Sequence, residues 1–221
     1  MSKSGNVART LARTTAETLV TGGVVVLLFA VYLVFWSDVQ TAAAQVDLRD
    51  DFKQQVAAAP VTNSSAPPAP VRPSAGSGVA VMKIPRLGDD WSWVVVEGVT
   101  NEQLARGPGR FPETALPGQV GNFAVAGHRA THGEPFAHID RVRKGDKIIV
   151  EAIGSTYTYV VTSTQIVPPT EVGVLYSVPG KPNARPRKAR ITIVTCHPRW
   201  GSSERLIVHG KLAETRTGKE A

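Results

Sequence analysis

The stretch Arg190–Leu212, RITIVTCHPRWGSSERLIVHGKL, reads as two strands joined by a turn. Arg190–Thr195 is rich in β-branched residues, HPRWGSSE supplies the proline, glycine and serines of a reversal, and Arg205–Leu212 resumes the strand pattern. A hairpin-like return sets the end of the first strand beside the start of the second. Cys196 and Arg205 are therefore neighbours in space, although nine residues apart in the chain. Outward from this pair the same chemistry recurs. Val79–Ile84, Trp93–Glu97, Asn122–Ala126, Lys147–Ile153 and Thr156–Val167 are further strand candidates, separated by Gly, Pro, Asp or Ser clusters. Only Asn101–Ala105 and Pro135–Asp140 have the pattern of short helices. Strand-dense sequence with short connections predicts a mainly β fold, a closed or nearly closed antiparallel barrel.

Upstream the character changes twice. Residues 57–78 contain five prolines, and 17 of the 22 are Ala, Pro, Ser or Gly, too little apolar surface to offset ordering entropy. They read as an extended stalk, on the order of 70 Å long if polyproline-like. Residues 38–56 are helix-compatible, with Ala44, Leu48, Phe52 and Val56 at spacings of four. That stripe suits an extension of a preceding helix, packing on the domain, or a solvated helix. Residues 19–36, LVTGGVVVLLFAVYLVFW, carry no charge and are just long enough to cross roughly 30 Å of hydrocarbon. Lys3, Arg9 and Arg13 outweigh Glu17 before this run, which places the N-terminus in the cytoplasm and the rest outside. The competing reading is a cleaved signal peptide ending near Ala42–Ala44, but signal cores run only about 7–15 residues. The expected organisation is a tail (1–18), a membrane anchor (19–36), a juxtamembrane segment and stalk (37–78), one folded domain (79–213) and a polar tail (214–221).

The folded region holds 17 basic and 11 acidic residues, so most of the chain's +7 charge lies outside the cytoplasm. With 6% aromatics and no basic–aromatic interleave, nucleic acid is excluded as a partner and an acidic cell-envelope surface is favoured. The basic run Lys181, Arg185, Arg187, Lys188 and Arg190 reads as a solvated loop face, or as the flank of a groove. One cysteine excludes an intrachain disulfide and any multi-cysteine zinc site.

That cysteine is the first candidate for chemistry. Cys196 ends a strand, where groups exit into loops, and its surroundings are basic. Arg205 is never a base, but it suits an oxyanion or a substrate carbonyl. His128 also leaves a strand, after Asn122–Ala126 and a glycine, and could exchange protons with a leaving and an incoming amine. His132, His138, His197 and His209 compete; His138 and His209 fit structural patterns, and His197 points to the opposite face from Cys196. His128 and His132 have H-x₃-H spacing, but Arg129 stands where a zinc protease needs glutamate.

Thr192-Ile193-Val194-Thr195-Cys196 resembles the T-L-x-T-C signature of sortases, with Gly127-His128 after an apolar strand and Arg205 nine residues beyond the cysteine. Gly121–Arg129 and Thr195-Cys196-His197-Pro198 are most similar to class E enzymes. The resemblance covers residues 79–213 and implies an eight-stranded barrel with Cys196 as nucleophile, His128 as acid and Arg205 as oxyanion or substrate holder. It also places Thr195, His132 and His197 at the substrate. It implies transpeptidation at the Thr–Gly bond of an LPXTG- or LAXTG-type signal on secreted proteins, with transfer to a peptidoglycan amine, and needs no cofactor or metal. His132 stands where class E enzymes usually carry tyrosine. The alternatives are a non-catalytic wall-binding barrel, a zinc hydrolase using His128, His132 and Cys196, and a pilin-polymerising sortase.

Overall fold

The computed structural model describes residues 3–58 and 72–218. Eight strands close into a barrel in the order β1-β2-β3-β4-β7-β8-β6-β5. They are β1 (Gly78–Lys83), β2 (Ser92–Glu97), β3 (Gly109–Arg110), β4 (Gly121–Ala126), β5 (Lys147–Ala152), β6 (Ser155–Val167), β7 (Ala189–His197) and β8 (Glu204–Thr217). Two junctions are parallel, β2 with β3 and β4 with β7, and the others are antiparallel. Period-two alternation sends Phe123 and Val125, Ile191 and Ile193, and Leu206 and Val208 into the core. There they meet Met82, Ile84, Val150, Tyr159 and Phe136. Burying each such side chain contributes about 1.5–3 kcal/mol. The alternate residues face outward, and the candidate site lies on that face.

The seven strands expected from the sequence are all present, with bounds shifted by a few residues. The eighth, β3, is hidden in Gly107-Pro108-Gly109-Arg110, which has no alternation to detect. Gly109 is required there, because a Cβ would lie 2.1 Å from the Gly98 carbonyl oxygen. Arg110 is fully buried and grips Glu97 with two hydrogen bonds, Nε to Oε2 at 2.7 Å and Nη2 to Oε1 at 2.6 Å. This ion pair ties β2 to β3 across their parallel junction.

Several expectations are corrected. The helix over Pro135–Asp140 is replaced by successive tight turns and a 3₁₀ turn at Ile139–Arg141. Phe136 N–H donates to the His128 carbonyl instead of entering a helix, and the following bonds span three residues rather than four. Strand β8 runs past the expected Leu212 and pairs with β6 as far as Thr217 opposite Ser155. The short helix α2 (Asn101–Leu104) forms as expected, with Thr100 and Gln103 in a capping box.

The helix α1 (Lys3–Ala58) is continuous through both the apolar run and the juxtamembrane segment. Its apolar portion is long enough to cross a membrane, and among the described residues none of that span is buried. Beyond residue 37 it lies on the outside of β1 and β2, where Leu48 and Phe52 pack with Val81, Val94 and Val96. The stripe at spacings of four therefore both extends the helix and docks on the barrel. The expected stalk falls mostly on residues 59–71, outside the described residues. Its flanks are on the barrel: Val56 packs on the Leu48–Phe52 cluster, and Gly76 N–H donates to the Glu97 carbonyl.

Candidate active site

The site is assembled at one end of three adjacent strands. Parallel pairing of β4 with β7 runs from Gly121 opposite Ala189 to Ala126 opposite Val194. One further bond, Gly127 N–H to the Val194 carbonyl at 3.2 Å, extends the ladder and brings His128 level with Cys196. On the other flank, Cys196 is directly paired with Arg205. Because Ile193, Leu206 and their alternates face the core, Cys196 and Arg205 fall on the outward face, and His128 follows directly on the end of β4 beside β7. The strand ends that carry the sequence-predicted trio are thus adjacent.

The peptide before His128 is held firmly. Gly127 tolerates no side chain, since a Cβ would lie 2.6 Å from the Phe136 ring. Its carbonyl accepts from Thr195 Oγ1 at 2.8 Å, while the His128 carbonyl accepts from Phe136 N–H. Thr195 is buried, so its hydroxyl is spent on the strand end that carries His128. Arg205 Nη1 donates to the carbonyls of Ser202 and Glu204, both at 2.9 Å. Its Nε and Nη2 have no partner among the described residues. Cys196 is half-buried and free.

Arg129, set aside in the sequence because it is not glutamate, proves to be structural support. It is buried and donates to Asp140 Oδ1 at 2.9 Å and to His197 Nδ1 at 3.0 Å, with Nη1 lying 3.4 Å from the Cys196 carbonyl. Since a guanidinium only donates, His197 Nδ1 is the acceptor. Burial would raise the Asp140 carboxyl, but the Arg129 hydrogen bond, a backbone hydrogen bond and the charges of Arg129 and His138 together hold it below the usual range.

His209 is structural, as its strand pattern implied. Thr192 Oγ1 donates to Asn122 Oδ1 at 2.7 Å, so its oxygen accepts from His209 Nδ1–H at 3.0 Å. Nε2 is then left to accept from the Gln165 amide at 3.2 Å. Burial, with the Arg190 charge, lowers the titration of His209 and favours this neutral tautomer. His138 is exposed, as are Lys181, Arg185, Arg187 and Lys188. A cavity of about 620 Å³ lies on the same outward face, between β6, β8 and the β6–β7 connection, and includes Gln165, Glu171, Lys181, Arg190 and His209. It does not include Cys196 or His128.

The ring of His132 stacks on that of His128, with centroids 4.6 Å apart and planes at 22°. Burial, and secondarily the charge of His132, lower the titration of His128 from its ordinary value. Replacing His132 by tyrosine removes the second contribution and leaves the first. The limb of the pH–rate profile governed by His128 is then expected to move to higher pH. The pH dependence of kcat/KM for the two proteins checks this, and coincident limbs would contradict it.

The Sortase domain family model matches residues 82–213, which contain all eight strands except the start of β1 and the end of β8. The chain belongs to the sortase family. Sortases are cysteine transpeptidases, and the similarity lies on the class E side of the family. Sortase SrtE1 of Streptomyces coelicolor is 35% identical over 93% of this chain, which spans 58% of that relative's length. The solved sortase E from Streptomyces avermitilis is 41% identical with a TM-score of 0.59, over 66% of this chain and 93% of that one. Sortase E1 from Streptomyces coelicolor, solved with a tripeptide in the active site, is 36% identical at a TM-score of 0.59. That match covers 66% of this sortase and 94% of the other chain.

Proposed function

We propose that this sortase is a membrane-anchored, class E-like transpeptidase. It cleaves a C-terminal sorting signal of LPXTG or LAXTG type between Thr and Gly and joins the protein to a peptidoglycan amine. The observation that supports the reading is the direct pairing of Cys196 with Arg205, beside the end of β4 that leads into His128. The tripeptide bound in the active site of the Streptomyces coelicolor relative supports a peptide substrate.

Each role follows from chemistry. The Cys196 sulfur adds to the threonine carbonyl carbon, and the electron pair moves to oxygen. The free Nε and Nη2 of Arg205 stabilise that oxyanion by charge-assisted hydrogen bonds. His128 protonates the glycine nitrogen as the C–N bond breaks, leaving a thioester on Cys196. An incoming amine then attacks the thioester, gives its proton to His128, and displaces the thiolate. Residues 19–36 act as a single membrane span with the N-terminus cytoplasmic, which keeps the barrel beside secreted substrates and the wall.

Peptides varied at the second signal position, mixed with amines and resolved by mass spectrometry, test the reaction. The expected products are the released glycine fragment and an amide at threonine; an untouched peptide would overturn the reading. Arg205→Ala is expected to lower kcat by roughly 10²–10³-fold, about 2.7–4 kcal/mol, as for other oxyanion donors. The circular dichroism should stay unchanged. A loss under threefold would make Arg205 a structural residue.

A further inference from the structure

Three consecutive residues after β4 have positive φ: His132 at 54°, Gly133 at 71° and Glu134 at 46°. L side chains rarely adopt this region, so a run containing two non-glycine residues persists only where neighbours impose it. Two ties lie near at hand. Glu134 N–H donates to the Thr131 carbonyl, and the Glu134 carboxylate pairs with Arg199 of the β7–β8 loop.

The third tie comes from 95 residues earlier. Gly133 N–H donates to Asp38 Oδ1 at 2.8 Å, and Asp38 lies two residues beyond the apolar run of α1. Gly133 is pressed against this helix, for a Cβ would lie 2.7 Å from Trp93 and 3.2 Å from the Thr41 methyl. Asp38 is itself held in place. Thr41 Oγ1 donates to the Ala105 carbonyl at 2.7 Å. Gln45 accepts from Val94 N–H and donates to the carbonyls of Val94 and Arg106. A docked helix thus fixes Asp38, which fixes Gly133, whose neighbour His132 stacks on His128.

We propose that Asp38, presented by the anchor helix, is a positioning residue of the active site, its carboxylate fixing the 131–134 loop and hence the His132 ring against His128. This rests on the reading of His128 and Cys196 as the catalytic pair. The helix is then part of the machinery as well as a tether, and docking of α1 decides whether the site is assembled.

The test uses the full chain in nanodiscs: wild type, Asp38→Ala, Asp38→Asn and Cys196→Ala, with a quenched threonine–glycine peptide. Asp38→Ala is expected to lower kcat on the order of 10- to 100-fold, as small misplacements of catalytic groups do. Its KM should stay within about twofold, since the loss is in positioning, not in substrate binding. Asp38→Asn keeps the accepting oxygen and should retain most activity. In histidine-labelled protein, the imidazole signals of His128 and His132 should move in Asp38→Ala and stay in Asp38→Asn. Unmoved signals in Asp38→Ala overturn the proposal, even if the peptide is never cleaved. So does an unchanged kcat in a wild type that cleaves, or equal impairment of both Asp38 variants. Cleavage that persists in Cys196→Ala, by contrast, sinks the catalytic reading and not the loop geometry.

Discussion

Cys196→Ala is expected to abolish both cleavage and amine transfer while leaving the protein folded. The sulfur sits half-buried on the outward face at the end of β7, so its loss opens no core cavity and strands no buried partner. The neighbouring Thr195 and Val194 keep their pairing with β8 and the Gly127 turn. What disappears is the only route to a thioester. Removal of a covalent nucleophile elsewhere costs on the order of 10⁶-fold in kcat, enough to bring turnover to background. Peptide cleavage and amide formation, measured beside the melting temperature, separate lost chemistry from lost folding. Residual turnover within 100-fold of wild type would remove Cys196 from the mechanism.

The second large effect is on stability. Glu97→Ala is expected to destabilise the barrel by about 3–5 kcal/mol, because it leaves the Arg110 guanidinium buried and unpaired. Arg110 also donates to the carbonyls of Thr114 and Pro112, so it cannot swing out to solvent without releasing the β3–β4 connection. Denaturant unfolding gives the size of the loss. The double variant Glu97→Ala, Arg110→Met removes the stranded charge and should recover part of it, with the carbonyl contacts still missing. A single variant within 1 kcal/mol of wild type would show that water reaches Arg110 once its partner is gone.

How much of this was legible depended on the kind of contact. The Cys196–Arg205 pairing was readable because one turn joins the two strands and fixes their register. The placement of His128 was not, because β4 and β7 are parallel neighbours about 70 residues apart in the chain. Periodicity identifies each strand but not which strand lies beside it, so the strand-exit position made His128 a candidate and the family resemblance singled it out. β3 escaped because it has only two residues, Gly109 and Arg110, too few to carry an alternation. The docking of α1 was half visible. Leu48 and Phe52 announce an apolar stripe, whereas Thr41 and Gln45 act through hydrogen bonds to barrel backbone, which no sequence pattern marks. Asp38 and Arg129 escaped for the same reason: their partners are a backbone amide and carbonyl, an Asp and a His, supplied by distant segments.

The central claim is that Cys196 carries the acyl group between donor and acceptor. Mass spectrometry of the protein after brief exposure to a sorting-signal peptide, without added amine, tests it most directly. The predicted result is a mass increase equal to the fragment ending in threonine, mapped to the Cys196 peptide and discharged when an amine is added. Peptide cleavage with no adduct on Cys196, quenched at any time, would contradict the account.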